Sequence, residues 1–134
     1  MNFIPIYASA GITGFESPAA EYTELQLSLD QILIEHPSAT YLGFVEGDSM
    51  KGIGIFPNDL LVVSRAERVL NGDVIVGTLN GTFICKIANI KENALDSSSP
   101  GYKPYTLKEG DEFNVEGVVT RCIRLLRPLH RSLT

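Results

Sequence analysis

The dipeptide Asn80-Gly81 restricts the fold of this chain more than any other local feature. Asn-Gly is the strongest short signal for a two-residue β-hairpin turn, because both positions take a left-handed backbone conformation that these residues tolerate. The flanking segments, Asp73–Leu79 and Thr82–Ala88, are rich in β-branched side chains and are predicted to be paired strands. Because the turn fixes the register, it also decides which way Lys86 points.

Strand patterns also dominate the rest of the chain after residue 38. Short apolar runs are separated by Gly, Pro, Asn and Asp, which is typical of a mainly β protein. We expect a strongly bent β-sheet or partial barrel with one short helix. Further strands are predicted at Ala39–Glu46, Leu60–Ser64, Tyr102–Thr106, Phe113–Thr120 and Arg121–Leu126, the last two forming one long strand.

The helix is predicted to begin after Ser28, which forms a capping-box pattern with Gln31 and is followed by apolar residues at helical spacing. Pro37 is expected to end it, because a proline disfavours the helical conformation of the residue before it. Residues 1–20 show no sustained periodicity and are predicted to be a flexible arm, with residues 21–134 forming a single domain.

The composition limits the environment and the partners. The net charge of −5 disfavours direct binding to nucleic acid, whose phosphates are also negative. Cys85 and Cys122 lie in apolar runs and are expected to be buried free thiols, which suits a reducing cytoplasm. The N-terminus lacks the basic residues of a secretory signal, and no apolar stretch is long enough for a membrane span.

A second feature points to chemistry. Gly47-Asp48-Ser49-Met50 is predicted to be a tight turn that exposes Ser49 after a strand, and Lys86 follows 37 positions later. Strand alternation gives Lys86 apolar neighbours on its own face. Such surroundings disfavour the ammonium form, lower the lysine pKa and yield an amine able to deprotonate a serine hydroxyl. The two residues are therefore candidates for a Ser-Lys catalytic dyad.

Other interpretations are open from these residues alone. A serine after Gly-Asp can be an ordinary turn residue, and a lysine among apolar residues can extend its amine to solvent. His36 could serve as the base of a Ser-His-Asp triad, but its place beside Pro37 favours a structural role. Asp48 is expected to close the turn, and Met50 to line the cleft or the core. We expect no metal and no cofactor.

Several segments spread over nearly the whole chain match a known family. They are Phe15–Tyr22, His36–Tyr41, Gly47–Met50, Asn58–Val63, Asn71–Val76 and Val115–Val119, together with the strand of Lys86. These segments resemble UmuD, from the family of self-cleaving peptidases that includes the LexA repressor and, more distantly, signal peptidase. The interval from Ser49 to Lys86 also agrees with that family.

The resemblance implies a bent β fold of the LexA and signal-peptidase type, with Ser49 as nucleophile and Lys86 as general base. The backbone amides of Asp48 and Ser49 would stabilise the oxyanion. The substrate would be the protein's own arm, with cleavage stimulated by the RecA nucleoprotein filament. The shortened form would act as a homodimer with a UmuC-type polymerase subunit, and with the replication sliding clamp, in error-prone translesion synthesis during the SOS response.

The cleaved bond remains open between two alternatives. Family members cut between a small residue and Gly, just before a Phe-x-Ser-Pro segment. Aligning on that segment, which is Phe15–Pro18 here, gives Thr13–Gly14. Residue chemistry favours Ala10–Gly11, because small side chains precede it at both positions expected to fill pockets. We prefer Ala10–Gly11.

Two further hypotheses compete with self-cleavage. The chain could be an interaction module that regulates a polymerase and carries a vestigial peptidase site, or an unrelated small β-barrel binding protein whose serine and lysine are coincidental. A LexA-type repressor is not expected, since the ten residues before Gly11 cannot form a DNA-binding domain.

Overall fold

A computed structural model of the protein describes residues 2–3 and 25–129. These residues belong to two compact units that divide between Glu35 and His36. Most of the predicted arm, including both candidate cleavage bonds, lies outside the described residues. Within them, no helix has the length and apolar character needed to cross a membrane.

The first unit contains a short β-ladder and one helix. Strands β1 (Asn2–Phe3) and β2 (Leu25–Gln26) pair antiparallel, and helix α1 spans Leu29–Leu33. The predicted capping box is confirmed, because Ser28 and Gln31 each accept a hydrogen bond from the other's backbone N–H.

The helix is shorter than the sequence pattern predicted. It ends at Leu33, where Ile34 turns to an extended conformation, and none of its five residues is buried. Pro37 therefore does not end the helix. It begins a separate 3-10 turn, Pro37–Ala39, which suits the fixed φ of proline at a first helical position.

The second unit contains a seven-stranded antiparallel sheet, which confirms the mainly β class. Along the sheet the strand order is β3-β4-β9-β5-β6-β7-β8, so that β3 and β8 form its edges. The strands are β3 (Thr40–Phe44), β4 (Leu60–Ser64), β5 (Val74–Leu79), β6 (Thr82–Asn89), β7 (Ala94–Asp96), β8 (Tyr105–Thr106) and β9 (Phe113–Ile123).

The hairpin of β5 and β6 has the predicted turn. Asn80 and Gly81 both have positive φ, and Leu79 pairs with Thr82 across the turn. The same register places Lys86 opposite Ile75, a residue that is almost fully buried. The direction in which Lys86 points thus follows from a local turn signal.

Strand β9 bends the sheet. It pairs with β4 on one side and with β5 on the other, and both pairings shift register part-way along. Such bulges increase the twist and curve a strand. The single long strand expected from Phe113 is confirmed, although it ends at Ile123 and not at Leu126.

Two apolar clusters form the core on either side of β6. Cys85 and Ile87 pack against the first cluster, whereas Ile84 packs against the second and Ala88 belongs to it, as strand alternation predicts. The first cluster consists of Val45, Met50, Ile55, Leu61 and Val63, and the second of Ile75, Ala88, Leu95 and Val118.

The sequence patterns missed one strand, and two further predictions need correction. Strand β7 was not predicted, because three residues are too few to show an alternating pattern. The strand expected at Tyr102–Thr106 contains only Tyr105–Thr106. Cys122 was expected to be buried but is exposed, and its thiol donates a hydrogen bond to the buried Asp59 carboxylate at 3.4 Å.

Candidate active site

The loop after β3 places Ser49 in a half-buried position beside the first apolar cluster. Gly47 has a φ of 77°, in the region that favours glycine, so the chain turns sharply there. Met50 is 2% exposed and packs in the first apolar cluster, which anchors the loop on the residue next to the serine. A short 3-10 helix, Lys51–Ile53, follows. Ser49 itself remains half-buried and accessible.

Lys86 meets Ser49 from strand β6. The lysine Nζ donates a hydrogen bond to Ser49 Oγ at 3.0 Å. Burial lowers the pKa of Lys86 below its ordinary value, and the neighbouring Cys85 thiol opposes this only as a smaller effect. The geometry can therefore support proton transfer from the serine hydroxyl to the amine once the lysine is neutral.

A run of three serines, Ser97–Ser99, follows β7 and packs on the same loop. The Lys86 amine donates a second hydrogen bond, of 2.8 Å, to Ser97 Oγ. The Ser98 N–H donates to the Ser49 carbonyl oxygen at 2.9 Å. The sequence analysis did not identify these residues, because they lie in a polar stretch whose composition is typical of a loop. Their only signal was three hydroxyl side chains in succession.

Asp48 closes the turn, as predicted. Its carbonyl oxygen accepts a hydrogen bond from the Lys51 N–H at 3.3 Å, and its carboxylate accepts one from the Tyr102 hydroxyl. That bond from Tyr102 lowers the pKa of Asp48. The Tyr102 ring centroid lies 5.5 Å from Lys86 Nζ, within the range of a cation–π contact. Tyr102 thus joins the turn to the lysine.

A cleft runs along the dyad. Beside Ser49 and Lys86 there is a cavity of about 170 Å³, whose walls include Met50, Phe83 and Ile84. A larger, mainly apolar groove of about 380 Å³ shares part of this lining and extends toward β3. Glu46 lies on both, at the rim.

The cleft is bordered by strand edges. Strand β3 is an edge strand of the sheet. On β6, residues 82–86 pair with β5, whereas β7 joins the other side of β6 only at Ile87–Asn89. An extended peptide could therefore lie along these edges and form backbone hydrogen bonds with them.

An ion pair between the buried Asp59 and the exposed Arg124 supports the end of the loop that carries Ser49. The Asp59 carboxylate is 2% exposed and accepts hydrogen bonds from Arg124 Nε at 3.0 Å and from the Phe56 N–H at 2.9 Å. Arg124 stacks on the Phe56 ring and donates to the carbonyl oxygen of Gly54, which follows the 3-10 helix. The first cause of the low Asp59 pKa, about 2, is its hydrogen bonding to Arg124.

Alternative catalytic groups have other partners. The His36 ring faces Glu67 at 3.6 Å, and the His36 carbonyl oxygen accepts a hydrogen bond from the Thr40 hydroxyl, which fits the predicted structural role. Burial raises the pKa of Cys85 to about 11, so its thiol stays protonated at neutral pH. Of the candidate bases, Lys86 is the one that contacts Ser49.

Fold and site together define a mainly β protein in which a serine and a lysine form a hydrogen bond beside a surface cleft. The chain belongs to the Peptidase S24-like family, whose model matches residues 5–120.

Named relatives cover most of the chain. SamA of Salmonella typhimurium is 38% identical over 92% of this chain and 86% of its own length. ImpA of Escherichia coli is 36% identical over 93% of this chain and 86% of its own length. MucA of Escherichia coli is 31% identical over 92% of this chain and 86% of its own length. These are UmuD-like proteins, so the predicted resemblance is confirmed.

Proposed function

We propose that the chain is a self-cleaving Ser-Lys peptidase that acts once, on its own N-terminal arm. The single observation that carries this proposal is the 3.0 Å contact between Ser49 and an amine whose pKa is lowered by burial. Membership of the Peptidase S24-like family supports the same reaction class. Ser49 is the nucleophile and Lys86 the general base.

The reaction proceeds in two halves. Neutral Lys86 takes the hydroxyl proton of Ser49, and the alkoxide attacks the carbonyl carbon of the bond to be cut. The backbone N–H groups of Asp48 and Ser49 stabilise the resulting oxyanion, where one such donor is worth about a hundredfold or more in rate. The lysine ammonium returns its proton to the leaving amine. Water, deprotonated by Lys86, then releases the acyl group from Ser49.

The side chains before the two candidate bonds differ in size, and the resemblance implies a cut after a small residue. Ala8 and Ala10 supply two small side chains before Gly11, whereas Thr13 is β-branched and Gly11, two residues before it, would leave a pocket unfilled. We infer cleavage at Ala10–Gly11, with Thr13–Gly14 as the alternative.

The UmuD-like relatives support the following biological role. The RecA filament on single-stranded DNA would stimulate cleavage by favouring the conformation in which the arm occupies the cleft, and would contribute no catalytic group. The shortened protein would form a homodimer in the cytoplasm and join a UmuC-type polymerase subunit and the sliding clamp in translesion synthesis. The net charge of −5 supports contacts with proteins and not directly with DNA.

A non-catalytic role is the second candidate. In it, the uncut chain regulates a polymerase and the peptidase site is vestigial. The exposed apolar residues that line the cleft, such as Phe44 and Phe83, would suit a protein-binding surface equally well.

The intact mass of the purified protein after alkaline incubation distinguishes the two roles. A loss of residues 1–10 that is absent in Ser49→Ala would establish the peptidase and the Ala10–Gly11 bond together. A loss of residues 1–13 would keep the peptidase and move the bond. An unchanged mass, even with RecA, nucleotide and single-stranded DNA present, would favour the non-catalytic module.

A further inference from the structure

The three serines after β7 divide their contacts between the two members of the dyad. Ser97 Oγ lies 2.8 Å from Lys86 Nζ, a shorter separation than the 3.0 Å between that nitrogen and Ser49 Oγ. Ser98 and Ser99 contact the loop that carries Ser49. One short segment is therefore bonded to both the base and the nucleophile.

The hydrogen bonds of Ser98 and Ser99 to the loop that carries Ser49 restrict the position of the neighbouring Ser97. The Ser98 N–H donates to the Ser49 carbonyl oxygen at 2.9 Å, and Ser98 Oγ accepts from the Ile53 N–H at 3.3 Å. Ser99 Oγ donates to the Asp48 carbonyl oxygen at 2.7 Å and accepts from the Lys51 N–H at 3.0 Å. The Ser97 hydroxyl is thus held at a fixed position relative to Ser49.

The position of Ser97 matters because it affects the direction of the lone pair on the Lys86 amine. A neutral lysine Nζ carries two N–H bonds and one lone pair, and only the lone pair can accept the Ser49 proton. A lysine side chain has several rotatable bonds, so an amine bonded to nothing else would spend much of its time with the lone pair misdirected. An N–H held by Ser97 Oγ removes most of that freedom.

We propose that Ser97 is a positioning residue, which accepts a hydrogen bond from the Lys86 amine and directs the amine's lone pair at the Ser49 hydroxyl. This inference rests on the proposed peptidase function. In the resting ammonium form, Lys86 donates to both serines. After loss of one proton to solvent, the bond to Ser97 persists, while the bond to Ser49 reverses and Ser49 becomes the donor.

Proton transfer then balances as follows. The Ser49 O–H bond breaks, a third N–H bond forms on Lys86, and the alkoxide electron pair attacks the carbonyl carbon. The new N–H proton later passes to the leaving nitrogen when the C–N bond breaks. Throughout, Ser97 keeps its own proton and contacts neither the carbonyl carbon nor the leaving group. It acts only through Lys86.

The test measures self-cleavage against pH for Ser97→Ala. The hydroxyl oxygen also stabilises the ammonium form, so its removal moves the midpoint of the pH profile to lower pH. Loss of orientation lowers the plateau rate by about tenfold to a hundredfold. Ser97→Thr, which retains a hydroxyl, should recover most of the plateau and the original midpoint. A purely structural defect would lower the plateau without moving the midpoint.

Two matched controls share the Ser→Ala change. Ser98→Ala loses a hydroxyl contact to the same loop but none to Lys86, so its midpoint should not move. Ser38→Ala, at an exposed position in the 3-10 turn before β3, should match the unmodified protein. Equal rate losses and equal midpoints in Ser97→Ala and Ser98→Ala would overturn the positioning role, as would a Ser97→Ala profile identical to that of the unmodified protein.

A second measurement separates this inference from the peptidase proposal. The Lys86 side chain can be titrated by NMR in a Ser49→Ala background, with and without Ser97→Ala. A lower Lys86 pKa in the double variant supports the hydrogen bond, and an unchanged pKa contradicts it. Absence of cleavage in the unmodified protein would overturn the peptidase and with it the positioning role, whatever the lysine titration shows.

Discussion

Gly52 lies directly against the backbone of Ser98, so that a Cβ built on residue 52 would stand 1.6 Å from the Ser98 carbonyl oxygen. No side chain can occupy that position without moving one of the two segments. The contact joins the 3-10 helix after Ser49 to the serine run that holds Lys86. Close backbone approach at a single glycine therefore helps to define the distance between the members of the dyad.

We expect Gly52→Ala both to slow self-cleavage and to destabilise the fold. Separating the two segments by even 1 Å would lengthen the dyad contact, and misplacement of that size can cost about a hundredfold in rate. The strain itself should cost about 1–3 kcal/mol. Cleavage rate and urea unfolding, the latter in a Ser49→Ala background, measure the two effects.

Gly77→Ala is the matched control for that variant. A Cβ at Gly77 would stand 2.8 Å from the Asn114 carbonyl oxygen, so it would strain the pairing of β5 with β9 and not the loop that carries Ser49. It should lower the free energy of unfolding but slow cleavage much less than Gly52→Ala does. Equal cleavage rates for the two variants would show that the contact between Gly52 and Ser98 does not control the dyad.

The buried carboxylate of Asp59 is expected to contribute stability that depends on pH. Asp59→Asn should lower the free energy of unfolding at neutral pH by about 1–3 kcal/mol, because the charged hydrogen bonds to Arg124 are weakened in a buried site. The folded pKa of about 2 lies below the ordinary 3.8, so this advantage is present above pH 3.8 and is lost as the pH falls toward 2.

Urea unfolding of both proteins from pH 7 down to pH 2, in a Ser49→Ala background, measures this difference. The two stabilities should converge at the acid end. A constant difference over the whole range would contradict the assignment of the pH dependence to Asp59.

The two members of the dyad have separate substitution tests. Ser49→Ala and Lys86→Ala should each reduce self-cleavage by at least about a thousandfold, since a nucleophile and its base act as one unit. Both variants should retain the fold and the oligomeric state of the uncut protein, as measured by circular dichroism and sedimentation. Lys51→Ala is a control, because this neighbouring lysine pairs at the surface with Asp48 and does not contact Ser49. Cleavage surviving in either dyad variant would remove that residue from the proposed role.

The pH dependence of cleavage should follow the protonation of Lys86. Burial lowers its pKa, yet the ammonium form still predominates below that pKa. Since only the neutral amine accepts a proton, the rate should rise between pH 7 and pH 10, by up to about tenfold per pH unit while the ammonium form predominates, and should level off above the lysine pKa. A flat profile between these limits, with unchanged circular dichroism, would exclude a lysine base.

How far the sequence could predict this site depends on the range of each contact. Asn80-Gly81 fixes the register of β6 locally, and Gly47 defines the serine turn, so both dyad candidates could be found before the fold was known. The role of Ser97 could not be predicted in this way. Its contact with Lys86 depends on the pairing of β7 with β6, which involves three residues of each strand and leaves no periodic pattern in the sequence.

The exposure of Cys122 shows a similar limit. Its place in an apolar run suggested burial, but such a run carries no information about the register shifts along β9. After a shift, the inward and outward sides of a strand exchange relative to its neighbours. Cys122 follows the shift between β4 and β9, and it is exposed while its thiol still contacts the buried Asp59.

The cleavage bond can be decided with one pair of matched substitutions in the arm. If Ala10–Gly11 is cut, Ala10→Phe should abolish cleavage, because the residue before the cut is expected to be small and a phenyl ring would overfill a pocket suited to alanine. Thr13→Phe should then leave the rate nearly unchanged. The opposite pattern would assign the cut to Thr13–Gly14. The mass of the released peptide, measured for both variants and for the unmodified chain, identifies the bond directly, and equal inhibition by both substitutions would contradict a single small-residue pocket next to Ser49.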